Sequence, residues 1–223
     1  MIQQEAIAFL KDLAENNNRD WFQSKQDSYQ KYRKHYLELA QELLSGVQEF
    51  DLGMADVEAK KVVFRINRDI RFSKDKSPYK THMGFWISPA HANNPKAGYY
   101  LHVDPKGSFL AGGIYMPEAK DLKKIRTEIA FFYDDLQEIL SEKKFKSTFG
   151  DLQRDEHTLK TAPKDFEKDH PAIKHLQLKS FIVQRDIPFD DLFKSNFISD
   201  VVANFKIIKP LNDFLNRAFD VAD

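Results

Sequence analysis

Apolar positions at the start of the chain recur every three to four residues, at Ile2, Ala6, Phe9, Leu10 and Leu13. That spacing predicts an amphipathic helix, and Asn16, Asn17 and Asn18 should end it, because asparagine favours caps and turns over helix interiors. A second helix is expected with Asn18 as its cap and Asp20 in its first turn. It carries Phe22, Tyr29, Arg33, Tyr36, Ala40, Leu43 and Val47 down one side and should stop near Gly46. Trp21, Tyr29, Tyr32 and Tyr36 sit at helical spacing, which fits a core-facing stripe better than an interaction surface.

From Lys61 the period changes to two. Val62, Phe64 and Ile66 alternate with Val63, Arg65 and Asn67, as in a strand with one face on a core. Residues 68–80 hold Ser73, Asp75, Ser77 and Pro78 and read as a loop. Strands are expected at 83–88, 98–104 and 109–116, and their short connections favour an antiparallel meander over parallel crossovers. Pro117 and Glu118 should open a helix through Leu122, Ile125, Ile129 and Phe132. Residues 145–178 are irregular, with helical turns near 171–178, and 181–187 alternate as a further strand. The tail is helical, with Ile198, Val202, Phe205 and Ile208 as one stripe and Pro210 starting or kinking a second segment. The pattern as a whole predicts an α+β fold, an antiparallel sheet of about five or more strands flanked by N-terminal and C-terminal helices. It reads as a single domain over 1–223, helical at 1–50, sheet-rich at 60–117 and helical or mixed at 118–223.

A chain of 223 residues can bury a substantial core without disulfide staples, and it has no cysteine. A thiol nucleophile, a redox pair and a thiolate metal site are therefore excluded. No long apolar run or basic leader is present, so the expectation is a cytoplasmic protein without a membrane segment. Basic and acidic residues balance at 34 each, which argues against extensive nucleic-acid contact. The balance is uneven along the chain: residues 60–82 carry 8 basic and 2 acidic side chains, whereas 1–59 carry 6 and 11.

That basic segment is the candidate site. If it stays extended to Arg71, then Arg65, Asn67, Asp69 and Arg71 share one face. Guanidinium groups match planar oxyanions with paired hydrogen bonds, so Arg65, Arg68 and Arg71 are candidate ligands for a phosphate or carboxylate, with Lys80 completing the charge. Tyr100 is placed to orient the ligand, and His82 and His102 are the candidates for proton transfer. The competing reading makes Asp69 and Asp75 the partners of these cations, pinning a long connection as a structural or protein-binding module. Cations interleaved with Phe64, Phe72 and Tyr79 also permit weak nucleic-acid binding. Gly112 and Gly113 inside a strand signal a bulge or a close backbone approach and are supporting residues.

The seven histidines, His35, His82, His91, His102, His157, His170 and His175, include no HExxH pair. Asp165, Glu167, Asp169 and His170 alternate with Lys164 and Lys168 as ordinary surface charge does. No metal set is assigned, no cofactor is named, and no protein partner or oligomeric state follows. Ser73 near His82 lacks a third group to orient a triad. The chain has no GxGxxG, Walker loop or GxSxG elbow.

Beyond these patterns, the chain resembles a family of uncharacterised proteins, domain of unknown function 2461. The likeness rests on Asn18, Arg19, Asp20, Trp21, Phe22; on the run Arg68, Asp69, Ile70, Arg71, Phe72, Ser73, Lys74, Asp75, Lys76, Ser77, Pro78, Tyr79, Lys80, Thr81; on Gly98, Tyr99, Tyr100 with Gly112, Gly113, Ile114, Tyr115, Met116, Pro117; and on Leu159 to Phe166 with His170 and Pro171. It covers nearly the whole chain. The resemblance implies membership and a plausible site, and it implies no activity.

Overall fold

A computed structural model describes residues 1–89 and 95–220. His91 and the middle of the connection expected at 89–97 lie outside the described residues. Four strands form one antiparallel sheet: β1 (Met83–Ile87), β2 (Gly98–Val103), β3 (Ser108–Ile114) and β4 (Phe181–Ile187), in the order β1-β2-β3-β4. The α+β class holds, with a strand count of four among the described residues in place of five or more. The missing strand is the one read at 61–67. Residues Ala59–Val62 form a helical turn (α4), and the rest contributes only isolated bridges, Val63 to Phe85 and Asn67 to Tyr79. Alternation there does not produce a one-sided strand, and Phe64, expected in the core, is 44% exposed.

The residues group into two compact units. The first comprises Met1–Ile87, Tyr100–Leu110 and Asp186–Ala203, and the second Ser88–Tyr99, Ala111–Arg185 and Asn204–Asp223.

In the first unit, α1 (Gln4–Glu15) buries Ala6, Ile7, Phe9, Leu10 and Leu13. The expected second helix is broken at Lys25 into α2 (Arg19–Ser24) and α3 (Gln26–Gln48). Asn18 caps α2 as read, its side chain accepting from Trp21 N at 2.9 Å. Gly46 does not end α3. It sits inside the helix because a Cβ there would come within 2.7 Å of Val202 Cγ2, so the glycine is needed for close packing. Helix α3 covers β1, with the Tyr36 ring edge-on to Phe85 at 4.9 Å.

His35, buried on α3, accepts a hydrogen bond through Nε2 from Gln3 N at 3.0 Å, just before α1 begins. Burial lowers its pKa from 6.5, assisted by the N-terminal amine and opposed by Glu38, Glu42 and Glu5. A histidine neutral in the folded state and protonated in the unfolded state stabilises fully above pH 6.5, and that contribution fades as pH falls through the lowered folded value. Protonated Nε2 also cannot accept from Gln3. Lowering the pH from 7.5 to 5 should therefore lower the Tm through this group. In His35→Gln, which accepts without titrating, that part of the slope should vanish in a thermal melt series.

In the second unit, α5 (Ala119–Phe131), α6 (Tyr133–Ser141), α7 (Lys143–Phe149) and the short α8 (Ile173–Leu176) follow in turn. The last helix, α9 (Phe197–Arg217), runs without a break through Pro210, where a start or kink was expected. Its later part packs on the sheet, with Phe205 against Tyr99 at 5.1 Å and Asn212 Nδ2 donating to Gly98 O. Close approach is why β3 carries two glycines: a Cβ on Gly112 would meet Ile208 at 2.5 Å, and one on Gly113 would meet Phe181 O at 2.0 Å. No helix of the described residues is long and apolar enough to cross a membrane.

Candidate functional site

The site residues lie in the first unit. Residues 66–68 and 78–80 form a two-rung antiparallel ribbon, in which Arg68 N donates to Pro78 O at 2.9 Å and Lys80 N to Ile66 O at 2.8 Å. Residues 69–77 project from it as an arm. The arm is pinned to the turn between α1 and α2, where Asn17 exchanges two hydrogen bonds with the Tyr79 backbone, at 2.9 and 3.0 Å. The Tyr79 ring stacks on Phe22 at 4.0 Å.

The arm absorbs two of the three candidate arginines. Arg68 Nη1 meets Asp75 Oδ2 at 2.5 Å and donates to Ser77 O at 3.0 Å. Asp75 Oδ1 in turn accepts from Ser77 N and Oγ, and Ser77 and Arg68 together lower its pKa to about 2. Arg71 grips Asp69 in bidentate fashion, Nε at 3.0 Å and Nη2 at 2.7 Å, which holds that carboxyl below its usual range. Arg71 N also donates to Asp69 Oδ1 at 3.3 Å, a local turn that interrupts the extended run expected through Arg65, Asn67, Asp69 and Arg71, and the charge of Arg65 also acts on Asp69. Arg71 is mostly exposed, and a surface pair of this kind adds little stability.

Arg65 and Lys80 go elsewhere. They line a cavity of about 410 Å³ with Tyr29, Tyr32, Arg33 and Tyr36 of α3, Lys60, Phe64 and His82. Among the described residues no carboxylate lines it. Lys60 is paired outside it with Glu58 at 2.7 Å, and Lys80 Nζ donates to Arg65 O and Asn67 O, both at 2.7 Å. Two of the three Lys80 protons are thereby spent on tightening the ribbon. Burial, then the charges of Arg65 and Arg68, lower the Lys80 pKa. Arg33 and Arg65 have no ion-pair partner among the described residues.

The tyrosines set the floor. Tyr36 is buried, and its hydroxyl serves three backbone groups: it donates to Gly84 O and accepts from Gly84 N at 2.9 Å and Phe64 N at 3.2 Å. Tyr32 is buried too, and its hydroxyl, closed off from solvent, has no hydrogen-bond partner among the described residues. Burial, then Tyr36 and Tyr29, raise its pKa well above 10.0, so it stays a neutral donor.

His82, His102 and Tyr100 form a second cluster beside the cavity. The imidazoles of His82 and His102 lie 4.4 Å apart by ring centres, and Tyr100 Oη is 2.9 Å from His102 Nδ1. Burial, then His102 and Lys80, lower the His82 pKa to about 4 against the pull of Asp104; burial lowers that of His102 as well. Both shifts favour the neutral imidazole at pH 7. Tyr32 and Arg33 carry no site signal in the sequence, because an aromatic helix stripe reads as core. Asp104 was passed over because Asp-Pro-Lys-Gly reads as a turn. Asp165 lies 3.3 Å from Lys123, and His170 Nδ1 accepts from Ala172 N.

The chain belongs to the family described as conserved hypothetical protein (DUF2461), whose model matches residues 5–214. No curated protein and no solved structure matches it.

Proposed function

We propose that the chain is a non-catalytic binding module in which the Arg/Asp network keeps the 65–80 segment rigid, so that Arg65 and Lys80 stand fixed over a tyrosine-lined cavity for a small anion. The observation that carries this reading is that Arg33, Arg65 and Lys80 edge one cavity whose described lining holds no carboxylate, with Arg33 and Arg65 left without an ion-pair partner among the described residues. The arginines Arg33 and Arg65 fit phosphate or carboxylate oxygens, and the tyrosine rings fit an aromatic or apolar body. A volume near 410 Å³ suits such a ligand.

Isothermal titration with phenyl phosphate, benzoate and inorganic phosphate tests this. Arg65→Ala should weaken phenyl phosphate at least tenfold, whereas Arg71→Ala should leave it within twofold, because Arg71 serves the arm. Affinity should fall with salt. Equal binding in the wild type and Arg65→Ala, or no binding of any of the three, would sink the reading. One observation favours protein contact instead: Phe72 stands 95% exposed at the tip of the pinned arm, beneath the Arg71 guanidinium at 5.8 Å. A null titration would turn attention there.

A further inference from the structure

His82 precedes β1, and His102 lies on the neighbouring strand β2. Strand alternation carries Asp104 to the same side as His102 two residues on. One ligand atom from each of the three lies within 4.8 Å of the others. They do not satisfy one another: His102 Nε2 and Asp104 Oδ2 stop at 3.9 Å, too far for a hydrogen bond. His82 has no hydrogen-bond partner among the described residues.

The surroundings hold these groups in place. Tyr100 Oη engages His102 Nδ1 at 2.9 Å, which leaves Nε2 as the free nitrogen. Phe109 stacks on the same ring at 4.8 Å and 16°. Lys106 N donates to Asp104 Oδ1 at 2.8 Å, so Oδ2 is the oxygen left to turn toward His102. An imidazole fixed through its second nitrogen and a carboxylate anchored by one oxygen are the usual supports of a metal centre.

We propose that His82, His102 and Asp104 form a binding site for one first-row divalent transition metal ion, of the Zn²⁺, Fe²⁺ or Co²⁺ kind. Two imidazoles and one carboxylate suit these ions better than Ca²⁺ or Mg²⁺, which prefer an all-oxygen shell. Metal–ligand bonds of about 2.0–2.2 Å need the three side chains to close inward by roughly an ångström. The metal-bound tautomer has His102 Nδ1–H donating to the Tyr100 oxygen. Three protein ligands leave positions open, and His82 also lines a polar cavity of about 530 Å³ through which an ion and its water could enter. The inference is independent of anion binding at Arg65.

The test is titration of the chelator-treated full chain with Co²⁺, read by visible ligand-field absorption, and with Zn²⁺, read by calorimetry and by the rise in Tm that binding to the folded state requires. The expected result is one ion per chain. Affinity should drop more than about 100-fold in His102→Ala and in the near-isosteric Asp104→Asn, and about 10-fold in Tyr100→Phe, with the apo Tm of Asp104→Asn unchanged within a few degrees. Failure to bind one ion per chain would overturn the proposal. So would one ion bound equally well by the wild type, His102→Ala and Asp104→Asn, since the ligands would then lie elsewhere.

Discussion

Tyr36→Phe is expected to destabilise the protein by about 3 kcal/mol, although it removes a single oxygen atom. The buried hydroxyl satisfies three backbone groups at once: Gly84 O, Gly84 N and Phe64 N. An unmet buried polar group costs about 1–3 kcal/mol, and phenylalanine offers none of the three a partner. The ring itself is kept, edge-on to Phe85, so no cavity term enters. Urea unfolding should show a lower midpoint with an unchanged slope. A loss under 1 kcal/mol would mean that the three groups find other partners. The same hydroxyl ties the 63–67 segment to β1, so phenyl phosphate affinity should fall in this variant while Arg65 is untouched.

Gly113→Ala should be more damaging still, above about 4 kcal/mol, and is expected to yield little folded protein. Two separate penalties meet at this residue. Its φ of +118° is a conformation that side chains rarely adopt, and a Cβ would stand 2.0 Å from Phe181 O on the adjoining strand. Backbone cannot yield there without parting β3 from β4. Gly150 separates the two effects, since its φ is +76° but nothing lies within 4 Å of the added carbon. Gly150→Ala should cost only about 1 kcal/mol. Expression of soluble protein and Tm compare the pair, and similar melting temperatures for both would contradict the steric account.

Periodicity was informative where one face of an element meets a core. Helix α1, the Asn18 cap, strands β1 to β4 and the tail helix all follow from spacing, because burial fixes which positions are apolar. It misled at 61–67, where an alternating run forms a helical turn and a ribbon partner of 78–80. Local alternation cannot reveal that the pairing partner is the segment's own continuation. The basic segment is recognisable in the sequence as a candidate site, and Asp69 and Asp75 as alternative partners for its arginines, a role that Arg68–Asp75 and Arg71–Asp69 fill. Which cations pair inward depends on how the ribbon closes, and that puts Arg68 and Arg71 in the arm and Arg65 and Lys80 at the cavity. Tyr32 and Arg33 reach the same cavity from a helix some thirty residues earlier, a juxtaposition that only the packing of α3 on β1 creates. His102 and Asp104 do carry a faint signal, since residues two apart on a strand share a face. Nothing in their spacing points to His82.

The most direct test of the central claim, that the fixed ribbon and the α3 tyrosines make one anion site, is a backbone amide NMR titration of the full chain with phenyl phosphate. The expected result is a saturable set of shifts at residues 63–67, 80–82 and 29–36, absent in Arg65→Ala and intact in Arg71→Ala. Shifts confined to residues 68–77, or none at millimolar phenyl phosphate, would contradict it and leave the arm itself as the functional surface.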